Sequence, residues 1–114
     1  MALRAKTLHT QFVAFASFGD INANGERIKL PNVDMWLKQA KILDELNLSH
    51  TDTGLCFMKM KKSSLTYHEF VKFLDDLASY KSVDVGEIKI KLRECGLPGD
   101  DEKKEKSSGN LEKH

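Results

Sequence analysis

Apolar side chains return every three or four residues in five places along the chain. Leu8, Phe12, Phe15 and Ala16 lie at i, i+4, i+7 and i+8, which predicts a helix from about Leu3 to Ser17 with one apolar face. Gly19 follows where a C-terminal cap belongs. Pro31 and Asn32 open a second helix, whose stripe of Val33, Trp36, Leu37 and Ala40 is expected to end near Leu43 or Asp44. Asn47 to His50 reads as a connector. The hydroxyl of Ser49 or Thr51 can cap a third helix carrying Leu55, Phe57, Met58 and Met60, which runs into the polar break Lys61-Lys62-Ser63-Ser64. Thr66-x-x-Glu69 is a capping box, and Phe70, Phe73, Leu74 and Leu77 form the apolar face of the helix it starts. A fifth helix follows Asp84, with Val85, Ile88, Leu92 and Cys95 inward and Gly96 and Pro98 closing it. Beyond Gly99, DDEKKEKSSGN is almost without apolar residues. Residues 1–98 are therefore read as one helical domain and 99–114 as a disordered mixed-charge tail.

Two short pieces interrupt the helical pattern. Arg27-Ile28-Lys29-Leu30 and Ser64-Leu65-Thr66 each place an apolar residue between a polar turn and a helix. They can pair as a miniature antiparallel ribbon, too small to stand alone. The fold class this predicts is all-α and EF-hand-like: two helix–loop–helix units with a short two-stranded ribbon between the loops, plus a fifth helix.

The loops then have to be tested as metal sites. Asp20, Asn22 and Asn24 occupy the first three ligand positions of a calcium loop, and Gly25 its obligatory turn. The closing bidentate glutamate, however, falls on Pro31, which has no side-chain oxygen. Asp34 lies beyond the loop, and Ile28 arrives one place late. Asn24-Gly25 is a turn signal in its own right, so the stretch reads as a structural turn. Counting back from Glu69, the second loop keeps Leu65 and Glu69 but offers Met58, Met60 and Lys62 as early ligands. A thioether is too soft for calcium and an ammonium repels it. No residue is assigned to a metal, a cofactor or catalysis.

Bulk composition narrows the partners. At 114 residues, with 40% hydrophobic and 31% charged side chains, there is room for one domain with a modest core. A net charge of +1 gives no global field that would gather nucleic acid or an anionic membrane. Cys56 and Cys95 lie far apart without metal or redox spacing, and the opening MALRAKTLHTQF lacks the apolar block of a signal peptide. A cytoplasmic chain with reduced thiols is the expectation.

With these residues in view, the chain resembles the tubulin polymerization-promoting protein family. The resemblance rests on Phe15-x-x-Phe18-Gly19-Asp20, the Gly25-x-x-Ile28 turn, and Asp52 with Phe57-x-x-Met60-Lys61. Leu65-Thr66-Tyr67-x-Glu69-Phe70, followed by Leu74-x-x-Leu77-Ala78, is its strongest part, and the match runs from about Leu3 to Leu97. It implies an EF-hand-like core that binds tubulin, promotes its polymerisation and bundles microtubules, in the cytoplasm and on the cytoskeleton. Longer members carry a Gly-rich basic segment beyond the core, where this sequence has its mixed-charge tail. Some members are linked to zinc through a His/Cys cluster in the second helix. Lys29 to Ile42 contains neither residue here, so zinc is not carried over.

Other chemistry finds little support. His9, His50, His68 and His114 are scattered, and the expected surface neighbours are His50 with Asp52 and His68 with Glu69. Phosphate-loop, dinucleotide, zincin and hydrolase motifs are absent. Ser63-Ser64 stands beside lysines but without an identifiable base. Lys59-x-Lys61-Lys62 could meet the acidic surface of tubulin or simply be a solvated turn. Trp36 is better placed in the core than at an interface, because its helix needs it to cover one face. The functional expectation is a non-enzymatic tubulin-binding module. The alternatives are a calcium-responsive EF-hand adaptor or another helical protein-interaction module.

Overall fold

The computed structural model describes residues 7–20 and 23–99. The expected start of the first helix at Leu3, Asn22 and the tail from residue 100 onward lie outside the described residues. Helix α1 runs Leu8–Ser17, opened by a reciprocal cap in which Thr10 N donates to Thr7 Oγ1 and Thr7 N to Thr10 Oγ1. Strand β1 (Arg27–Lys29) leads directly into α2 (Leu30–Gln39), with Pro31 in the first turn where its missing N–H costs nothing. After α2 come the short α3 (Ile42–Glu45) and α4 (His50–Lys59), the latter capped by Ser49. Strand β2 (Ser64–Thr66) precedes α5 (Tyr67–Lys81), which opens on the expected Thr66–Glu69 box. Helix α6 (Val85–Glu94) follows its Asp84 cap.

The two strands pair antiparallel, with Ile28 opposite Leu65 and both side chains buried. Two helix–loop–helix units, α1–α2 and α4–α5, are thereby tied at their loops. All-helical architecture with one small ribbon is what the periodicity predicts.

One helix end departs from expectation. The second helix stops at Gln39 rather than near Leu43, because Lys41 takes a left-handed conformation (φ 63°) before α3 begins. An uninterrupted helix would carry Ile42 about 200° around from Ala40, to the far side of the stripe. The break turns Ile42 inward, where it is fully buried, at a backbone cost of about 1 kcal/mol.

The core is built on stacked rings. Trp36 lies between Phe15 (centroids 4.8 Å, 7° between planes) and Phe70 (5.1 Å, 9°), and Phe70 continues to Phe73 at 5.9 Å. Phe57 of α4 meets Phe73 edge-on, and Ile88 and Leu92 of α6 complete the same cluster. These rings join α1, α2, α4 and α5 into one body.

Helix α6 is fastened by polar side chains that periodicity alone would not single out. Gln11, in the apolar stripe of α1, donates to the carbonyls of Leu92 (3.3 Å) and Gly96 (2.7 Å). Gln39, three residues past Trp36, donates to the Cys95 and Leu97 carbonyls and accepts from Gly99 N. Trp36 Nε1 adds a bond to the Leu92 carbonyl at 3.1 Å. The end of a helix leaves carbonyls without intrahelical donors, and here buried amides supply them.

Gly25 is where backbone freedom matters most. It sits at φ 79°, and a Cβ there would meet Val13 Cγ1 at 2.5 Å and the Val13 carbonyl at 3.2 Å. Gly19 has a similar φ of 84° with open space around it. Gly25→Ala should therefore cost about 2 kcal/mol and Gly19→Ala about 1 kcal/mol. Urea unfolding of the two variants tests this order; equal costs would refute the close approach of α1 to the loop.

Candidate functional site

The two loops hold the residues that a calcium site would use, so they are the first place to look. In the first, Asp20 N donates to the Ser17 carbonyl and Ala23 N to that of Asp20, while Glu26 N donates to Asn24 Oδ1 at 3.1 Å. Asn24 is thus engaged as a turn residue, and Pro31 stands exposed on α2. Asp34 does not turn toward the loop: its Oδ1 lies 2.8 Å from the Thr53 hydroxyl and 3.4 Å from His50 Nδ1, joining α2 to α4. The expected His50–Asp52 neighbourhood is replaced by this His50–Asp34 contact, because Asp52 is committed to its own helix cap. Asp52 Oδ2 accepts from Ser49 N at 3.0 Å and pairs with Lys81 at 3.3 Å.

In the second loop, Glu69 is equally occupied. Its Oε1 accepts from Thr66 N at 2.9 Å, its Oε2 pairs with Lys62 at 3.2 Å, and Arg27 approaches at 3.8 Å. His68 is exposed, and Glu69 turns to these donors rather than to it. Among the described residues, no three of His, Cys, Asp and Glu gather where they could hold a metal.

These carboxylates make a pH prediction. The Thr66 N–H foremost, then Lys62 and Arg27, hold Glu69 below the ordinary carboxylate range, and the Ser49 N–H and Lys81 do the same for Asp52. A group whose folded pKa is depressed contributes stability above its unfolded value of about 4, and that contribution is lost as pH falls through the folded value. Stability should therefore be flat above about pH 5 and fall below about pH 4. Glu69→Gln, which keeps the cap acceptor but not the charge, should flatten that fall in acid thermal melts. An unchanged slope would show that Glu69 is not a source.

The other candidate is a surface. On α4 the inward positions are Thr53, Cys56 and Phe57, so Leu55 and Met58 of the expected apolar set point outward, 46% and 69% exposed. Side chains three and four apart share a helix face, which places Leu55, Met58 and Lys59 together. Lys59 Nζ lies 5.8 Å from the ring centre of Tyr80, itself half exposed on α5. Lys61 and Lys62 follow on the turn, and no acidic residue occurs from Thr53 to Ser64. Exposed apolar side chains grouped beside lysines make this surface a candidate contact face. Elsewhere, His9 stacks on Tyr67 at 4.3 Å, and Trp36 is fully buried, as its place in the stripe requires.

Comparison with known proteins agrees with this architecture's sequence. The p25-alpha family model matches residues 9–114. Tubulin polymerization-promoting protein family member 3 of Xenopus laevis is 33% identical over 76 residues, covering 64% of this chain and 43% of that protein. The Homo sapiens and Mus musculus proteins of the same name are each 33% identical over 75 residues. The aligned region spans about 43% of the length of these relatives. With the family model covering nearly the whole chain, this protein belongs to the p25-alpha family, that of the tubulin polymerization-promoting proteins.

Proposed function

We propose that this chain is a non-enzymatic, EF-hand-like module that binds tubulin, promotes its polymerisation and bundles microtubules. The observation that carries this reading is membership of the p25-alpha family, with relatives named for promoting tubulin polymerisation. The EF-hand-like character rests on two helix–loop–helix units tied by a ribbon between their loops. The loops are held by turn and ion-pair contacts, which favours a fixed scaffold over a calcium-driven switch. Residues 1–98 would form the module and 99–114 a mixed-charge tail. The place of action is the cytoplasm, on the cytoskeleton; no helix among the described residues is long and apolar enough to cross a membrane.

The contact face best suited to tubulin is the outer side of α4, where Leu55, Met58 and Tyr80 are rimmed by Lys59, Lys61 and Lys62. An acidic partner surface complements three lysines in four residues, and such steering weakens with salt. The purified chain, added to tubulin below its critical concentration, should hasten turbidity and co-pellet with polymer. Raising salt from about 50 to 150 mM should reduce pelleting several-fold. Failure to pellet at low salt sinks the reading, and calcium titration calorimetry then decides for or against a calcium-responsive adaptor.

A further inference from the structure

Asn24-Gly25 turns the first loop, and the same two residues form a reactive pair. Asn24 is the only asparagine in the sequence that glycine follows, and it is exposed. The backbone nitrogen of the residue after an asparagine can attack the side-chain amide at Cγ and close a succinimide ring. A Cβ on that next residue crowds the attack, and glycine has none. The turn adds a second factor. Asn24 Oδ1 accepts from Glu26 N at 3.1 Å, and the ring closed by that bond contains both Asn24 Cγ and Gly25 N. The amide carbon is thereby folded back toward its nucleophile. The Glu26 N–H also donates to the oxygen on which negative charge develops during the attack.

How Gly25 is seated decides what such a reaction would do. Its backbone lies against α1, so close that a Cβ would meet Val13 Cγ1 and the Val13 carbonyl. Strand β1 starts two residues later at Arg27 and ties the first loop to the second through Ile28 and Leu65. Extra main chain at residue 24 has to displace either the seat of Gly25 or the start of the ribbon.

We propose that Asn24 is a site of spontaneous deamidation, and that its isoaspartyl product loosens the first loop from α1. A solvent base takes the Gly25 amide proton, and the nitrogen bonds to Asn24 Cγ. The Cγ–Nδ2 bond then breaks and ammonia leaves, taking a proton from water. Water next adds to one of the two succinimide carbonyls. Opening at Cγ gives an ordinary aspartate, while opening at the main-chain carbonyl gives isoaspartate, whose backbone runs through Cβ and Cγ. The balance is one water consumed and one ammonia released. Aspartate keeps a side-chain oxygen for Glu26 N. Isoaspartate lengthens the main chain by one methylene and puts its carboxylate directly on Cα, which undoes the turn.

The test incubates the full chain in neutral buffer at body temperature beside a peptide of residues 20–28. Mass spectrometry of tryptic fragments follows loss of the Asn24 amide. Protein isoaspartyl methyltransferase, with labelled S-adenosylmethionine, counts the isoaspartate. Asn24 should convert at least about tenfold faster than any other asparagine, and within about tenfold of the peptide. Asn24→Gln, which would have to close a larger ring, should lower methyl incorporation at least about tenfold. The aged chain should melt about 4–8 °C below the fresh one, whereas freshly purified Asn24→Asp should stay within about 2 °C of it. Asn24→Asp supplies the aspartate product alone, and it carries the comparison should Asn24→Gln fail to fold. An Asn24 amide that survives in the chain while the peptide converts overturns the site. An isoaspartyl chain that melts with its parent overturns the loosening.

Discussion

Trp36→Ala is expected to remove a large share of the chain's stability. Removing a fully buried tryptophan costs about 3–5 kcal/mol, against a total stability of about 5–15 kcal/mol for a domain of this kind. The loss is at the high end here for two reasons. The ring is stacked on both sides, by Phe15 and Phe70, so its removal opens a gap where α1, α2 and α5 meet. Its indole N–H also donates to the Leu92 carbonyl, alongside Gln11 Nε2 and the weaker Cys95 thiol. Trp36→Phe separates these effects: the stack survives and Leu92 keeps Gln11 and Cys95, so the cost should be about 1–2 kcal/mol. Urea titration followed by far-ultraviolet circular dichroism measures both. An alanine variant within about 1 kcal/mol of the parent would remove Trp36 from the centre of the fold.

The same contacts explain why α6 is part of the domain rather than an appendage. Ile88 and Leu92 supply its apolar anchor, but two leucine-sized side chains leave the helix end polar and buried. Gln11 and Gln39 resolve that conflict with five hydrogen bonds between their side chains and the backbone from Leu92 to Gly99. Each glutamine takes a place in an apolar stripe at helical spacing, where an amide is costly unless its partners are fixed. Their partners lie more than fifty residues away, so no local rule reveals them.

Much of the fold was legible because local signals agreed with one another. The Thr66–Glu69 box, the Asp84 cap and the Trp36 stripe each follow from side-chain chemistry within a few residues, and the pairing of Ile28 with Leu65 from the matching apolar residue that each loop places before its helix. Legibility failed where two faces competed. On α4, Leu55 with Met58 is one apolar pair at helical spacing, Cys56 and Phe57 share another face with Thr53, and it is the face of Thr53, bonded to Asp34, that turns inward. It failed again at Lys41, where a left-handed residue has no sequence mark, and at His50, whose partner comes from another helix. The loops were readable as turns, since Pro31 and Lys62 are visible without a structure. The Arg27–Ser64 hydrogen bond was not, because Arg27 reaches Ser64 only through the register of the ribbon.

The outward turn of α4 sets up the second large effect. Replacing both Leu55 and Met58 with serine should weaken co-pelleting with microtubules at least about tenfold, equivalent to about 1.4 kcal/mol. Their exposure means that helix content and unfolding midpoint should hardly move, unlike the response to any core substitution. Reversing Lys59 and Lys61 to glutamate tests the electrostatic half: it should reduce binding at low salt and flatten the salt dependence, because rim charges act mainly on association. Lys62 is left in place, since its ion pair with Glu69 would confuse a binding loss with a local structural one. If the parent pellets and both variants pellet equally well, the contact lies on another face and the α4 assignment fails. A parent that does not pellet removes the tubulin reading itself, so the two failures are told apart within one experiment.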